Sequence, residues 1–115
     1  MLAGDKIHPR AWGSFARYLG HYTRELGLFS VEECVAHLSG RPAAVLGLAD
    51  RGLVKEGFAA DLVLFDPDTV DAQSTFAEPR RQAAGIPYVF VNGALAVDGG
   101  ERTGALAGGA VRKAA

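Results

Sequence analysis

Apolar residues run without a break from Leu62 to Phe65, between Asp61 and Asp66, with Gly57 before them and Pro67 after. A short unbroken apolar run closed by turn residues predicts a strand buried on both faces, and proline ends it because it cannot donate to a ladder. Downstream, Tyr88–Val91 and Ala94–Val97 flank Asn92-Gly93. Both central residues of a type I′ turn need positive φ, so Asn-Gly between two apolar runs predicts a β-hairpin.

Upstream the period changes. Phe15, Tyr18, Leu19, Tyr22 and Leu26 recur at helical spacing, with Arg17, His21, Arg24 and Glu25 between them. This predicts an amphipathic helix from about Gly13 to Leu26, ended by Gly27 in the left-handed conformation, with Leu28 and Phe29 folding back onto its apolar face. Ser30 and Glu33 form a capping box for a second helix, whose apolar face is Val31, Cys34, Val35 and Leu38. Pro42 suits the first turn of a third, short helix that runs through Leu46 and stops at Gly47. Met1 to Arg10 reads as a loop, and Asp50 to Gly57 as a connector with a short strand at Leu53-Val54 at most. Residues 67–87 are polar and turn-rich, which predicts an excursion over the surface. From Gly99 on, the glycine-rich tail reads as loose. Helices first and strands after predict an α+β fold and argue against alternating βαβ units.

Length limits what this chain can hold. At 115 residues it is one domain at most, and a (β/α)8 barrel needs about 250. Charge is nearly balanced, 12 basic against 13 acidic residues, and scattered, which argues against a nucleic-acid or anionic-membrane surface. No apolar run is long enough to span a bilayer, and the N-terminus lacks the layout of a signal peptide. The single cysteine, Cys34, forms no internal disulfide and fits a reducing, cytoplasmic setting.

Candidate chemistry is sparse. Cys34 lies on the apolar face of the second helix without an activating base nearby, so it reads as a small buried hydrophobe. His8, His21 and His37 form no HxH or HExxH pair, and zinc sites usually draw two ligands from one short motif. Asp61 and Asp66, five apart on a strand, point to opposite faces about 16 Å apart, too far for paired acid–base work. They read as turn and strand-end residues. The glycines of 104–109 lack the lysine and hydroxyl of a phosphate loop. In Met1 to Arg10, Asp5, Lys6, His8 and Arg10 suit a binding loop or, more simply, a solvated terminus.

The pattern G-L-V-K-E-G-F-A-A-D-L-V-L-F-D (Gly52–Asp66), followed by Y-V-F-V-N-G-A-L-A-V-D (Tyr88–Asp98), resembles the C-terminal end of metal-dependent amidohydrolases. The upstream H-P-R-A-W-G-S-F-A-R-Y-L-G (His8–Gly20) and the tail R-T-G-A-L-A-G-G narrow the resemblance to the D-aminoacylase, or N-acyl-D-amino-acid deacylase, branch. The resemblance implies a piece of a larger enzyme: residues 1–49 as the loop and helices that end a β/α barrel, and 50–115 as strands of the small C-terminal β domain. It implies zinc in the whole enzyme, which hydrolyses the amide of N-acyl-D-amino acids. The family's metal ligands and its Ser-Asp-Gly-like catalytic motif have no counterpart here, so no catalytic residue and no metal ligand is assigned to this chain. His8 and Arg10 match the family's motif and are placed at the active-site mouth. The chain alone is expected to be inactive. Its helices should expose faces meant for a barrel, and its strands Leu62–Phe65 and Tyr88–Val97 should expose ladder edges, so it should pair with itself or with a complementary barrel chain. A small non-enzymatic module that associates through those edges is the alternative.

Overall fold

The computed structural model describes residues 7–113, so the expectations for Asp5 and Lys6 fall outside it. The chain divides into two compact units, Met1–Val31 with Asp66–Gly85, and Glu32–Phe65 with Ile86–Ala115.

In the first unit, helix α1 (Arg10–Arg17) continues directly into a π-helical segment, Tyr18–Glu25. The helix thus begins at Arg10, three residues ahead of the sequence expectation, and its second half is wound more widely. The Leu26 N–H reaches back five residues to the His21 carbonyl (3.0 Å), and the Thr23 hydroxyl donates to the Tyr18 carbonyl (2.9 Å), five residues back on the same segment. Gly27 ends the segment at φ 62°, as its sequence position predicts. Phe29 folds back to stack on Tyr18, with ring centroids 6.2 Å apart, whereas Leu28 remains exposed.

The face that this helix buries is the opposite of the one its apolar period suggests. Gly13, Ala16, Gly20 and Thr23 are buried, while Phe15 is 70% exposed and Trp12, Tyr18 and Leu26 are exposed as well. Small side chains let the backbone of residues 70–74 lie directly on the helix. A Cβ on Gly20 would stand 2.6 Å from the Val70 carbonyl oxygen, closer than any real contact allows. Arg24 fastens the same segment, donating from Nη1 to the carbonyls of Pro67 (3.1 Å) and Val70 (2.6 Å), and the Ser74 hydroxyl donates to the Pro9 carbonyl (3.1 Å). Residues 67–87 are therefore no simple surface excursion. Val70, 1% exposed, is the centre of this unit, and Asp71 pairs with Ala84 to close the loop that holds it.

In the second unit α2 (Val31–Leu38) and α3 (Gly40–Leu46) follow one another closely, and Gly47 caps α3 at φ 68°. Cys34 is fully buried and Ala43 nearly so; Val35 on α2 is exposed. Strands β1 (Leu62–Leu64), β2 (Tyr88–Val91), β3 (Ala94–Asp98) and β4 (Glu101–Arg102) make an antiparallel meander in the order β1-β2-β3-β4. Leu53-Val54 forms no strand and is exposed.

Three expectations change here. Strand β1 is an edge strand with Val63 and Leu64 exposed, so it is not buried on both faces within this chain. Its apolar run is a strand signal that lacks its covering layers. Of Tyr88 to Val97, β2 has no open ladder, because it lies between β1 and β3, whereas β3 pairs with β4 only at Val97 and Asp98, so its stretch from Ala94 to Ala96 stands at the sheet edge as expected. The start of the tail is not loose: Gly99-Gly100 turn the chain, at φ 57° and 87°, into β4.

The central hairpin forms as its Asn-Gly predicts, with φ 47° at Asn92 and 78° at Gly93. Val89 pairs with Val97 but Phe90 with Leu95, so Ala96 is the extra residue of a β-bulge. Thr103 answers that irregularity, since its hydroxyl donates to the Leu95 carbonyl (2.6 Å) and its N–H to the Ala96 carbonyl (3.0 Å).

Two glycine substitutions separate close approach from backbone conformation. Gly20→Ala should lower stability by about 1–3 kcal/mol, because its methyl must push backbone aside. Gly27→Ala, where nothing lies within 4 Å, should cost only about 1 kcal/mol, the strain of a left-handed alanine. Urea midpoints of the two variants check the ranking.

Candidate functional site

His8 and Arg10 stand at the start of α1, and both are exposed. The His8 Nδ1 accepts the backbone N–H of Arg10 at 3.0 Å. A neutral imidazole that accepts at Nδ1 carries its proton on Nε2, so His8 offers a donor outward. The ring is held edge-on by Phe76, with centroids 5.1 Å apart and planes at 79°. Arg10 adds a guanidinium two residues away, and the Ser14 hydroxyl donates to its carbonyl (2.7 Å). Two exposed donor-bearing side chains two positions apart in sequence suit an anionic or carbonyl group.

The other histidines are tied to carboxylates on their own helices. His21 Nδ1 lies 2.7 Å from Glu25 Oε2, and this hydrogen bond holds the Glu25 carboxyl below the ordinary carboxylate range. His37 Nε2 lies 4.0 Å from Glu33. Among the described residues no three His, Cys, Asp or Glu side chains come together as a metal ion would require. The residues present do not fit the zinc that the resemblance implies for the whole enzyme, so no catalytic step through a metal is derived for them.

Asp61, read from sequence as a strand-end residue, is the centre of a polar clasp in the second unit. Its Oδ2 accepts from Arg51 Nε (3.0 Å) and its Oδ1 from the Asn92 backbone N–H (2.7 Å). Arg51 also donates to Asp50 Oδ1 (2.9 Å) and to Asn92 Oδ1 (3.3 Å), and Asn92 Nδ2 donates to the Ala107 carbonyl (2.7 Å). One carboxylate thereby joins the connector, the foot of β1, the hairpin tip and the tail. The Asn92 N–H, the largest influence, and the Arg51 guanidinium hold the Asp61 carboxyl below its ordinary range despite some desolvation. An open cleft of about 490 Å³ lies beside the clasp, between Asp50, Arg51, Asn92 and the tail residues Gly109–Arg112. Nothing in the spacing of Arg51, Asp61 and Asn92 foretold this group. Asp66 keeps the role its position suggests, accepting the Asp68 N–H at 2.9 Å in a turn.

Residues 6–97 match the Amidohydrolase family. The chain is 53% identical over 90 residues to a D-aminoacylase of Alcaligenes xylosoxydans xylosoxydans, which covers 78% of this chain and 19% of that protein. It is 51% identical over 86 residues to an N-acyl-D-glutamate deacylase of the same organism, 75% of this chain and 18% of the relative. A crystal structure of D-aminoacylase superposes with a TM-score of 0.83 at 52% identity, over 85% of this chain and 21% of that one. The N-acyl-D-glutamate deacylase of Bordetella bronchiseptica, solved with zinc and a phosphonate mimic of the tetrahedral intermediate, superposes with a TM-score of 0.75 at 50% identity, over 76% of this chain and 19% of that one. This chain belongs to the amidohydrolase family. It spans about a fifth of the length of these relatives, and it matches their C-terminal portion.

The clasp makes stability depend on pH with a definite sign. A carboxyl whose folded pKa is lowered stabilises the fold above its unfolded pKa, near 3.9, and that contribution disappears as pH falls through the lower, folded value. Asp61→Asn should therefore cost roughly 1 kcal/mol at neutral pH, a modest figure because the group is partly exposed. The gap between variant and parent should close at acid pH. Urea unfolding from pH 7 down to pH 3 measures it.

Proposed function

We propose that this chain forms the C-terminal part of a D-aminoacylase-like amidohydrolase, an enzyme that hydrolyses the amide of N-acyl-D-amino acids with a metal held elsewhere in the protein. Residues 1–49 close the barrel in this reading, and 50–115 contribute strands to the small β domain. The isolated chain is inactive, and its partner is the remaining barrel-bearing portion. The observation that carries the reading is the outward face of the first helix. Trp12, Phe15, Tyr18 and Leu26 are exposed while the helix already buries its small-residue face, so its large apolar face is free for a further layer.

Within that assembly His8 and Arg10 line the mouth of the site. An N-acyl amino acid carries a carboxylate, and a guanidinium two residues from an imidazole matches its charge. Their part is to bind and orient substrate. The proton transfers and water activation of hydrolysis belong to residues outside these 115. The lone Cys34, fully buried and without an internal disulfide partner, agrees with a cytoplasmic setting.

Mixing the chain with a D-aminoacylase truncated by its C-terminal fifth tests the reading. The two parts should co-elute on sizing and regain hydrolysis of an N-acyl-D-amino acid, which neither shows alone. Failure to associate, with the chain eluting as a well-folded monomer, would sink it. Phe15→Asp should weaken association by about tenfold or more, given that burying one phenylalanine contributes about 1.5–3 kcal/mol. In the reconstituted enzyme Arg10→Ala should raise KM more than it lowers kcat, which steady-state kinetics resolve.

A further inference from the structure

The Asn92-Gly93 pair does more than turn the hairpin. An asparagine followed by glycine can cyclise: the backbone nitrogen of the glycine attacks the side-chain carboxamide, because no Cβ hinders its approach. Here every polar group needed for that step is engaged. The nucleophile, the Gly93 nitrogen, donates its N–H to the Ala60 carbonyl (3.0 Å). The electrophile is held on both sides, since Asn92 Oδ1 accepts from Arg51 and Nδ2 donates to Ala107. The Asn92 backbone is pinned by Asp61 at φ 47°.

We propose that Asn92 is a conformationally gated deamidation site, closed by the Asp61–Arg51–Ala107 clasp and opened when the hairpin tip or the tail detaches. The reaction needs only water. The Gly93 nitrogen forms a bond to Asn92 Cγ, the Cγ–Nδ2 bond breaks, and the departing amide takes the Gly93 proton and leaves as ammonia. Water then opens the five-membered succinimide at either carbonyl, giving aspartate or isoaspartate. Nothing is oxidised or reduced.

The product cannot remake the clasp. A carboxylate has no N–H for the Ala107 carbonyl, and two oxygens then face each other where a 2.7 Å hydrogen bond stood. Isoaspartate also lengthens the backbone by one carbon at the turn, which the two-residue hairpin geometry cannot absorb. The change is one-way, and it falls on the contact that fastens the tail beside the cleft formed by Asp50, Arg51 and Gly109–Arg112. Opening at this site thereby becomes a permanent loss of the tail's attachment.

Peptide-mapping mass spectrometry of the whole chain, incubated at mildly alkaline pH, tests the gate. Deamidation of Asn92 in the folded chain should run at least about tenfold slower than in the same chain unfolded by urea, since local opening must precede it. Asp61→Asn should accelerate it several-fold in the folded chain. Equal rates in folded and unfolded chain would overturn the proposal, and this comparison stands even where the variant does not fold. The consequence is read separately in Asn92→Asp, whose tail trypsin should cut several-fold faster after Arg102 and Arg112 than in the parent. Unchanged cleavage there would remove the release of the tail from the proposal and so overturn it as stated.

Discussion

The first unit depends on how α1 and the π-helical segment divide their surface. Gly13 and Gly20 face the chain's own residues 70–74, Ala16 and Thr23 are buried on the same helix, and Trp12, Phe15 and Leu26 are exposed. Backbone-to-backbone approach is possible only where side chains are nearly absent, so Gly20 and Gly13 fix where the loop that carries Val70 lies. Because hydrophobic burial is non-directional and scales with area, the larger face should have been the one taken inward had a partner been present in this chain. That it is not indicates a helix built for two layers. The widened π turn belongs to the same arrangement, with the Thr23 hydroxyl adding a bond to the Tyr18 carbonyl.

Fully buried large side chains are confined to Val70 and Cys34 among the described residues. Pairwise identity near one half with enzymes five times as long is therefore joined to an unfinished core, and one cause accounts for both. The segment is folded to be covered.

Local signals in the sequence were legible wherever chemistry is local. Gly27 and Gly47 end their helices, Asn92-Gly93 makes the hairpin, and Leu62–Leu64 is a strand, because each depends on backbone conformation or alternation that neighbouring residues decide. What the sequence did not disclose is which face goes inward. Periodicity identifies an apolar stripe on the first helix but cannot say whether its partner lies in the same chain; only the resemblance implies that the helices leave faces open for a barrel. Val70 carries no signal for a related reason: one valine in a polar loop has no period. The clasp was invisible because Arg51, Asp61 and Asn92 meet only once β1 and β2 pair, 41 residues apart at its widest link. The motif residues His8 and Arg10 were found by resemblance alone.

The sheet unit shows what holds a structure together when its core is thin. None of its strand residues is fully buried, so the hydrophobic contribution to strand pairing is partial. Turn geometry and polar satisfaction supply the rest: positive φ at 92, 93, 99 and 100, the bulge at Ala96 answered by Thr103, and one carboxylate that fastens the connector, the hairpin tip and, through Asn92, the tail. These devices specify register strongly while adding little free energy each, because a net hydrogen bond contributes only about 1 kcal/mol. A unit assembled this way has a defined topology and a low margin of stability. Covering the exposed sides of Val63, Leu64 and the first helix adds the missing burial, and by mass action any partner that binds only the folded form stabilises it. The polar network thus sets the shape, and the apolar surface it leaves open makes the stability of that shape depend on what covers it.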